Sequence, residues 1–195
     1  MSTPVKNLAI FLACFLIALL VGYLIRKRHS SQAVLSADGA LSETYLGLRL
    51  QVLQGLRGKI ALPTAKTSTE PYAVLMDWNT GNGIATVVAF ADGTASMYLS
   101  SGGGSIGGGQ AHREIREAAL RAVSLAEEVQ PKMEVVFTFP LPKPGEVMFY
   151  LVSGSGVYST SAQAKDLADG NHSLSPLGNA MQNIITQYRL VQPSK

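Results

Sequence analysis

The chain of 195 residues holds a single cysteine, Cys14, and it lies inside an apolar run rather than in the polar body. The body therefore has no disulfide, no thiol nucleophile and no thiolate to ligate a metal. Histidine is nearly as scarce. Beyond His29 there are only His112 and His172, far apart and at no ligand spacing to each other or to a carboxylate. Both read as surface or capping residues, and neither a metal nor a cofactor is expected. A general basic excess is missing as well. The net charge of +3 includes Lys6, Arg26, Lys27 and Arg28 around the apolar run, and the rest of the chain carries twelve Lys and Arg against thirteen Asp and Glu. With no basic stripe to follow phosphates, nucleic acid is not expected as a partner.

What the chain does have is one long apolar segment. Leu8 to Ile25 is 18 residues without a charge, and as a helix at ~1.5 Å per residue it spans roughly 27 Å, close to the hydrocarbon thickness of a bilayer. A cleaved signal peptide carries its cations before the apolar stretch and a small-residue cleavage site after it. Here Lys6 alone precedes the run, and Arg26, Lys27 and Arg28 follow it directly. The stretch FLAC, ending at Cys14, has the look of a lipoprotein cleavage site, yet eleven more apolar residues follow where a lipidated end turns polar. The segment is therefore read as a retained anchor, with the lipid bilayer as one partner. Each flanking cation near an anionic surface contributes about 1 kcal/mol. Because Lys and Arg are kept preferentially on the cytoplasmic side, the N-terminus is expected outside and the following domain in the cytoplasm, at the inner membrane.

The resulting organisation is a tail at 1–7, a transmembrane helix at 8–25, a basic flank and linker at 26–41, and one domain at 42–195. In that domain Ser42 can cap a helix, Leu41 and Leu46 can staple across the cap, and Leu46, Leu50 (or Leu48, Val52), Leu53 and Leu56 recur at helical spacing. That helix is expected to pack on the domain; self-association in a homo-oligomer is the rival. Strand-like stretches follow at 72–78, 83–90 and 94–100, with Asp92-Gly93 suited to a tight hairpin. A helix at 112–129 presents Ile115, Ala118, Ala119, Ala122, Leu125, Ala126 and Val129 on one face, supports itself with Arg113–Glu117 and Glu117–Arg121 spacings, and stops at Pro131. Strands recur at 132–139, 146–152 and 157–161, then a short helix near 162–168. In the final helix Ser175 is the cap, Pro176 the first position, and Leu177, Met181, Ile184, Ile185 and Tyr188 the buried side.

These elements predict an α+β domain in α-βββ-α-βββ-α order, with a mostly antiparallel sheet of about six strands and helices packed on one face. A shift of 60 residues lays the two βββ triplets roughly on each other, with identity too low to establish an internal duplication. In outline the order resembles small ligand- or partner-binding folds of the profilin-like type, and a fold alone assigns no function.

Between strand and helix, 102–109 contains six glycines in eight residues. Gly102, Gly104 and Gly107 satisfy G-x-G-x-x-G, but the following strand ends in Phe139 without the acid that would hold a ribose, and no G-K-[ST] is present. Gly103, Ser105 and Gly107 match G-x-S-x-G, with Asp166 or Asp169 and then His172 in hydrolase order. Three glycines and Gln110 separate Ser105 from the helix, which denies it the tight turn that prepares a nucleophile. The plainest reading is a crossover whose glycines permit positive φ or close backbone approach. The functional alternative is a site on Gly104, Ser105, Gly107, Gly108, Gly109 and Gln110 for an anion or other small ligand. Asp77 and Trp78 beside NTGNG form another candidate recognition loop, although Asn and Gly there are ordinary turn chemistry and Trp78 reads as half-buried core. The overall expectation is a membrane-anchored, non-catalytic protein whose domain binds a protein partner or small ligand. The alternatives are an anion sensor using the glycine loop and a hydrolase using Ser105, Asp169 and His172.

Overall fold

The computed structural model describes residues 41–54 and 69–191. The expected span 8–25, the basic residues Arg26, Lys27 and Arg28, and most of the linker lie outside the described residues. Among the described residues no helix is long and apolar enough to cross a membrane.

The domain is α+β, built on one seven-stranded sheet in the order β4-β3-β2-β1-β6-β7-β5. The strands are β1 (Pro71–Asn79), β2 (Ile84–Phe90), β3 (Ala95–Leu99), β4 (Gly104–Ile106), β5 (Glu134–Val136), β6 (Glu146–Ser153) and β7 (Gly156–Gln163). Every neighbouring pair is antiparallel. The helices are α1 (Glu43–Leu53), α2 (Gly108–Ala111), α3 (Arg113–Val129), α4 (Ala164–Ala168) and α5 (Ser175–Val191).

The sheet is covered on both faces, which corrects the expectation of helices on one face only. On one face Val74, Met76, Val87, Phe149 and Leu151 pack with Ile115, Ala119 and Ala122 of α3 and Leu177, Met181 and Ile184 of α5. On the other, Tyr72, Leu75, Val88, Tyr150 and Val152 pack with Tyr45, Val52 and Leu53 of α1. Double coverage explains why the central strands carry continuous apolar runs, YAVLM in β1 and MFYLV in β6, instead of a clean alternation. Each fully buried side chain of the size of Phe149 or Leu151 contributes about 1.5–3 kcal/mol.

Several local expectations are met. Asp92 and Gly93 make the β2–β3 turn: Gly93 has φ 84°, and the Asp92 carboxylate accepts from the Thr94 N–H at 2.7 Å. The Arg113–Glu117 pair forms at 2.7 Å. Others shift. The α1 face that meets the sheet is Tyr45, Arg49, Val52 and Leu53, which bears out Leu53 and the Val52 alternative; Leu46 and Leu48 are only partly buried, Leu50 is exposed, and Leu56 lies outside the described residues. In α3, Val123 is buried where Leu125 was expected, and Leu125 is only partly covered. Ser175 is the first residue of α5 rather than its cap, and its buried hydroxyl has no hydrogen-bond partner. The turn into α5 is tied instead by His172, whose carbonyl accepts from the Ser175 N–H at 2.9 Å and whose Nδ1 accepts from the Leu174 N–H at 3.2 Å.

Two differences bear on function. The expected strand 132–139 is cut to β5, three residues long, after a 3-10 turn at Gln130–Lys132. The chain bends away at Phe137, and the run FPLPKPG, which lacks N–H groups at its three prolines, crosses the α1 face as a strap instead of extending the sheet. The second strand triplet is accordingly no meander. β5 lies outermost against β7, while β6 moves to the centre beside β1, so the 60-residue likeness does not extend to the strand pairing.

Candidate functional site

The glycine loop is not a free crossover. Gly104–Ile106 is an edge strand registered against Ser96–Tyr98, and Gly108–Ala111 is a helical turn. The turn is held by Tyr188 of α5, whose hydroxyl accepts from the Gly108 N–H at 3.0 Å and donates to the Ala95 carbonyl at 2.7 Å. Close approach accounts for the glycines: a Cβ on Gly104 would sit on the Met97 carbonyl oxygen, and one on Gly109 on the Gly93 carbonyl oxygen. Three further amides of this stretch have internal acceptors: Gly107 N–H the Ser96 hydroxyl, Gln110 N–H the Gly107 carbonyl and His112 N–H the Gly108 carbonyl. Of the proposed ligand residues, Gly104 lines a groove of about 220 Å³ between α1 and β4 with Tyr45, Leu48, Tyr98 and Ile106.

The Ser105, Asp169 and His172 constellation is not brought together. Ser105 is on β4 at one edge of the sheet, and its register opposite Met97 puts it on the α3/α5 face. Asp169 and His172 follow α4, which continues directly from β7, and four strands lie between β7 and β4. α5 spans that separation, packing Gly178 on Leu167 and Phe149 near its start and bonding the glycine loop through Tyr188 near its end. Among the described residues no grouping of three or more His, Cys, Asp or Glu is placed to hold a metal. Asp77 and Trp78 are not in a loop either: both are within β1, Trp78 half-buried against the α3/α5 core.

Asp77 instead belongs to a buried polar cluster that the sequence reading missed. Arg49 donates from Nε to Asp77 Oδ2 at 2.7 Å, from Nη1 to the Phe139 carbonyl and from Nη2 to the Pro140 carbonyl, each at 3.0 Å. Its guanidinium lies 5.4 Å from the centroid of the Tyr150 ring, and the Tyr150 hydroxyl donates to the Pro140 carbonyl at 2.7 Å. Thr86 donates to the other Asp77 oxygen, and Tyr45 and Thr86 share a hydrogen bond at 3.0 Å. Arg49 is 2% exposed and Asp77 fully buried. Burial pushes the Asp77 carboxyl up, against the pull of the Arg49 charge and of hydrogen bonds from Arg49 and Thr86. The cluster binds α1 to the sheet and to the strap. A charged residue within a helical stripe reads as solvent-facing, and only its spacing with Tyr45, Val52 and Leu53 signals otherwise.

The outward-facing chemistry lies where the strap begins. Beneath the end of α1 a groove of about 250 Å³ runs across β1, β6, β7 and β5, lined by Leu53, Tyr72, Val152, Val157, Val136 and Phe139. Phe137 stands at its rim with 90% of its surface exposed, and Val135 beside it is about half exposed. On the opposite sheet face at the same edge, a cavity of about 400 Å³ is lined by Glu70, Glu127, Gln130, Pro131, Met133 and Tyr158. It lies at the C-terminal end of α3, where the helix dipole is negative. β5 forms the boundary between them. No family model, no curated protein and no solved structure matches this chain.

Proposed function

We propose that this protein is a single-pass membrane protein, anchored through residues 8–25 with its domain on the cytoplasmic side, and that the domain holds a protein partner at the membrane surface without catalysis of its own. The observation that carries the reading is Phe137, a large apolar ring left 90% exposed at the rim of an apolar groove. Exposed aromatics grouped with further apolar side chains mark recognition surfaces, and aromatic residues dominate binding energy at such surfaces.

The test is a photo-reactive phenylalanine analogue placed at position 137 of the full chain in its own membrane, with position 120 as an exposed apolar control on α3. A discrete cross-linked protein seen from 137 and absent from 120 is the expected result. Cross-links to lipid alone, or the same products from both positions, would overturn the reading.

A further inference from the structure

The two cavities at the β5 edge point to the kind of segment a partner presents. We propose that β5 is a docking edge for an extended segment of the partner that pairs with its backbone and carries apolar side chains on one face and lysine or arginine on the other. The inference rests on the reading of Phe137 as a recognition residue and adds the mode of binding and the chemistry of the bound segment.

The backbone argument comes first. β5 is outermost in the sheet, with its inner side paired to β7 through Glu134–Ser159, Val135–Tyr158 and Val136–Val157. Among the described residues no strand pairs with its outer side, where backbone N–H and C=O groups can bond a further strand. Natural edges are commonly guarded by lysine or proline, but β5 reads Glu-Val-Val, and its three prolines come only after the chain has left the sheet.

The side-chain argument selects the sequence. A strand directs alternate side chains to opposite faces. On the α1 face, a strand added to β5 meets the apolar groove of Leu53, Val136, Phe137 and Phe139. On the α3 face it meets the cavity lined by Glu127, an exposed carboxylate at the negative end of a 17-residue helix. Lys132 of the adjoining 3-10 turn is exposed and does not line that cavity. Apolar residues therefore suit one face and cations the other. A second copy offering its own β5 brings one carboxylate and no cation, so the charge pattern favours a different protein.

The experiment uses the full chain in detergent micelles and three labelled short peptides: valine and lysine in alternation, valine and glutamate in alternation, and valine and lysine in two separate blocks. Fluorescence anisotropy is expected to show the alternating valine–lysine peptide binding about tenfold more tightly than either of the others, a difference of about 1.4 kcal/mol. Glu127→Lys, on an exposed position, is expected to remove most of that preference, and hydrogen exchange at 134–136 is expected to slow when the peptide is bound. Val135→Pro, which deletes one edge N–H, is a second variant; should it fail to fold, Glu127→Lys still decides the matter. Equal binding of the alternating and block peptides, or protection anywhere but β5, overturns strand addition. If position 137 nonetheless cross-links to a discrete protein, the recognition role of Phe137 survives that result. Cross-links from 137 confined to residues 55–68 of the same chain or to a second copy overturn both.

Discussion

Arg49 on α1 and Asp77 on β1, 28 positions apart in sequence, meet at 2.7 Å with both side chains buried. The remaining guanidinium donors reach the Phe139 and Pro140 carbonyls, two and three positions past Phe137. One side chain thus joins the helix that follows the linker, the centre of the sheet, and the strap that begins at the exposed ring. A planar fork with five donors suits that task, where lysine would offer a point charge.

Removing one member of such a pair leaves the other charge buried without compensation. Arg49→Ala or Asp77→Ala is expected to lower unfolding free energy by about 3–5 kcal/mol, while Arg49→Met with Asp77→Leu, which removes both charges, is expected to fall much closer to the native value. Urea unfolding of the full chain in micelles followed by Trp78 fluorescence checks this. If the double variant is no more stable than the single ones, the cluster stabilises the fold by something other than charge pairing.

The same cluster sets an alkaline limit. Burial is the main cause that raises Tyr45 from 10.0 to about 12, with Asp77 adding to it. Burial likewise raises Tyr150 to about 12 against the opposing Arg49 charge. Both folded values exceed the unfolded value, so the fold favours the neutral phenols. The stabilisation is complete below about pH 10 and is lost as the pH rises toward 12. Denaturant midpoints should hold level to about pH 9.5 and then decline, less steeply in Tyr45→Phe. Burial also raises Tyr98 and Tyr188, so ultraviolet titration should show at least four of the seven tyrosines ionising late, and a single transition near pH 10 for all of them would contradict the burial argument.

Glycines in the 102–109 loop are not equivalent. Gly109 has no room for a Cβ, because the Gly93 carbonyl occupies the place, whereas Gly103 has open space and only a φ of 83° to accommodate. Gly109→Ala is expected to cost about 2–3 kcal/mol through backbone displacement, and Gly103→Ala about 1–2 kcal/mol from the left-handed conformation alone. Thermal unfolding of the two variants side by side decides it. Equal losses would show that conformation, not close packing, fixes the glycines here.

The sequence was legible where period and turn chemistry agree. β1, β2 and β3, the Asp92-Gly93 turn and the amphipathic stripe of α3 lie within a residue or two of their expected bounds, because each depends on local preferences. The failures share a cause in tertiary context. Arg49 was passed over since a lone charge in a stripe reads as exposed until a buried carboxylate is known to face it. The strand 132–139 was overextended because Val135, Val136 and Phe137 keep a strand-like pattern up to the bend that the prolines impose afterwards. β4 went unseen since a strand of Gly-Ser-Ile has no propensity of its own and exists through pairing with β3. Ser105 and His172 had hydrolase order in the chain, but order carries no distance, and α5 holds the two ends apart.

The anchor and its orientation make the last prediction. Cations flanking a span are retained on the cytoplasmic side, and short tails count most; here Arg26, Lys27 and Arg28 follow residues 8–25, opposed by Lys6 and the amino terminus. A C-terminal reporter should therefore be active in its cytoplasmic form and silent in its exported form. Replacing Arg26, Lys27 and Arg28 by glutamine while adding lysines before residue 8 should reverse the two signals. Because the core of the described domain closes within 41–191, deleting residues 1–29 should release a soluble chain that still unfolds cooperatively. An insoluble or unfolded fragment would mean that the domain needs the anchor to fold. An exported signal from the native fusion would place the β5 edge, and any partner it takes, on the other side of the membrane.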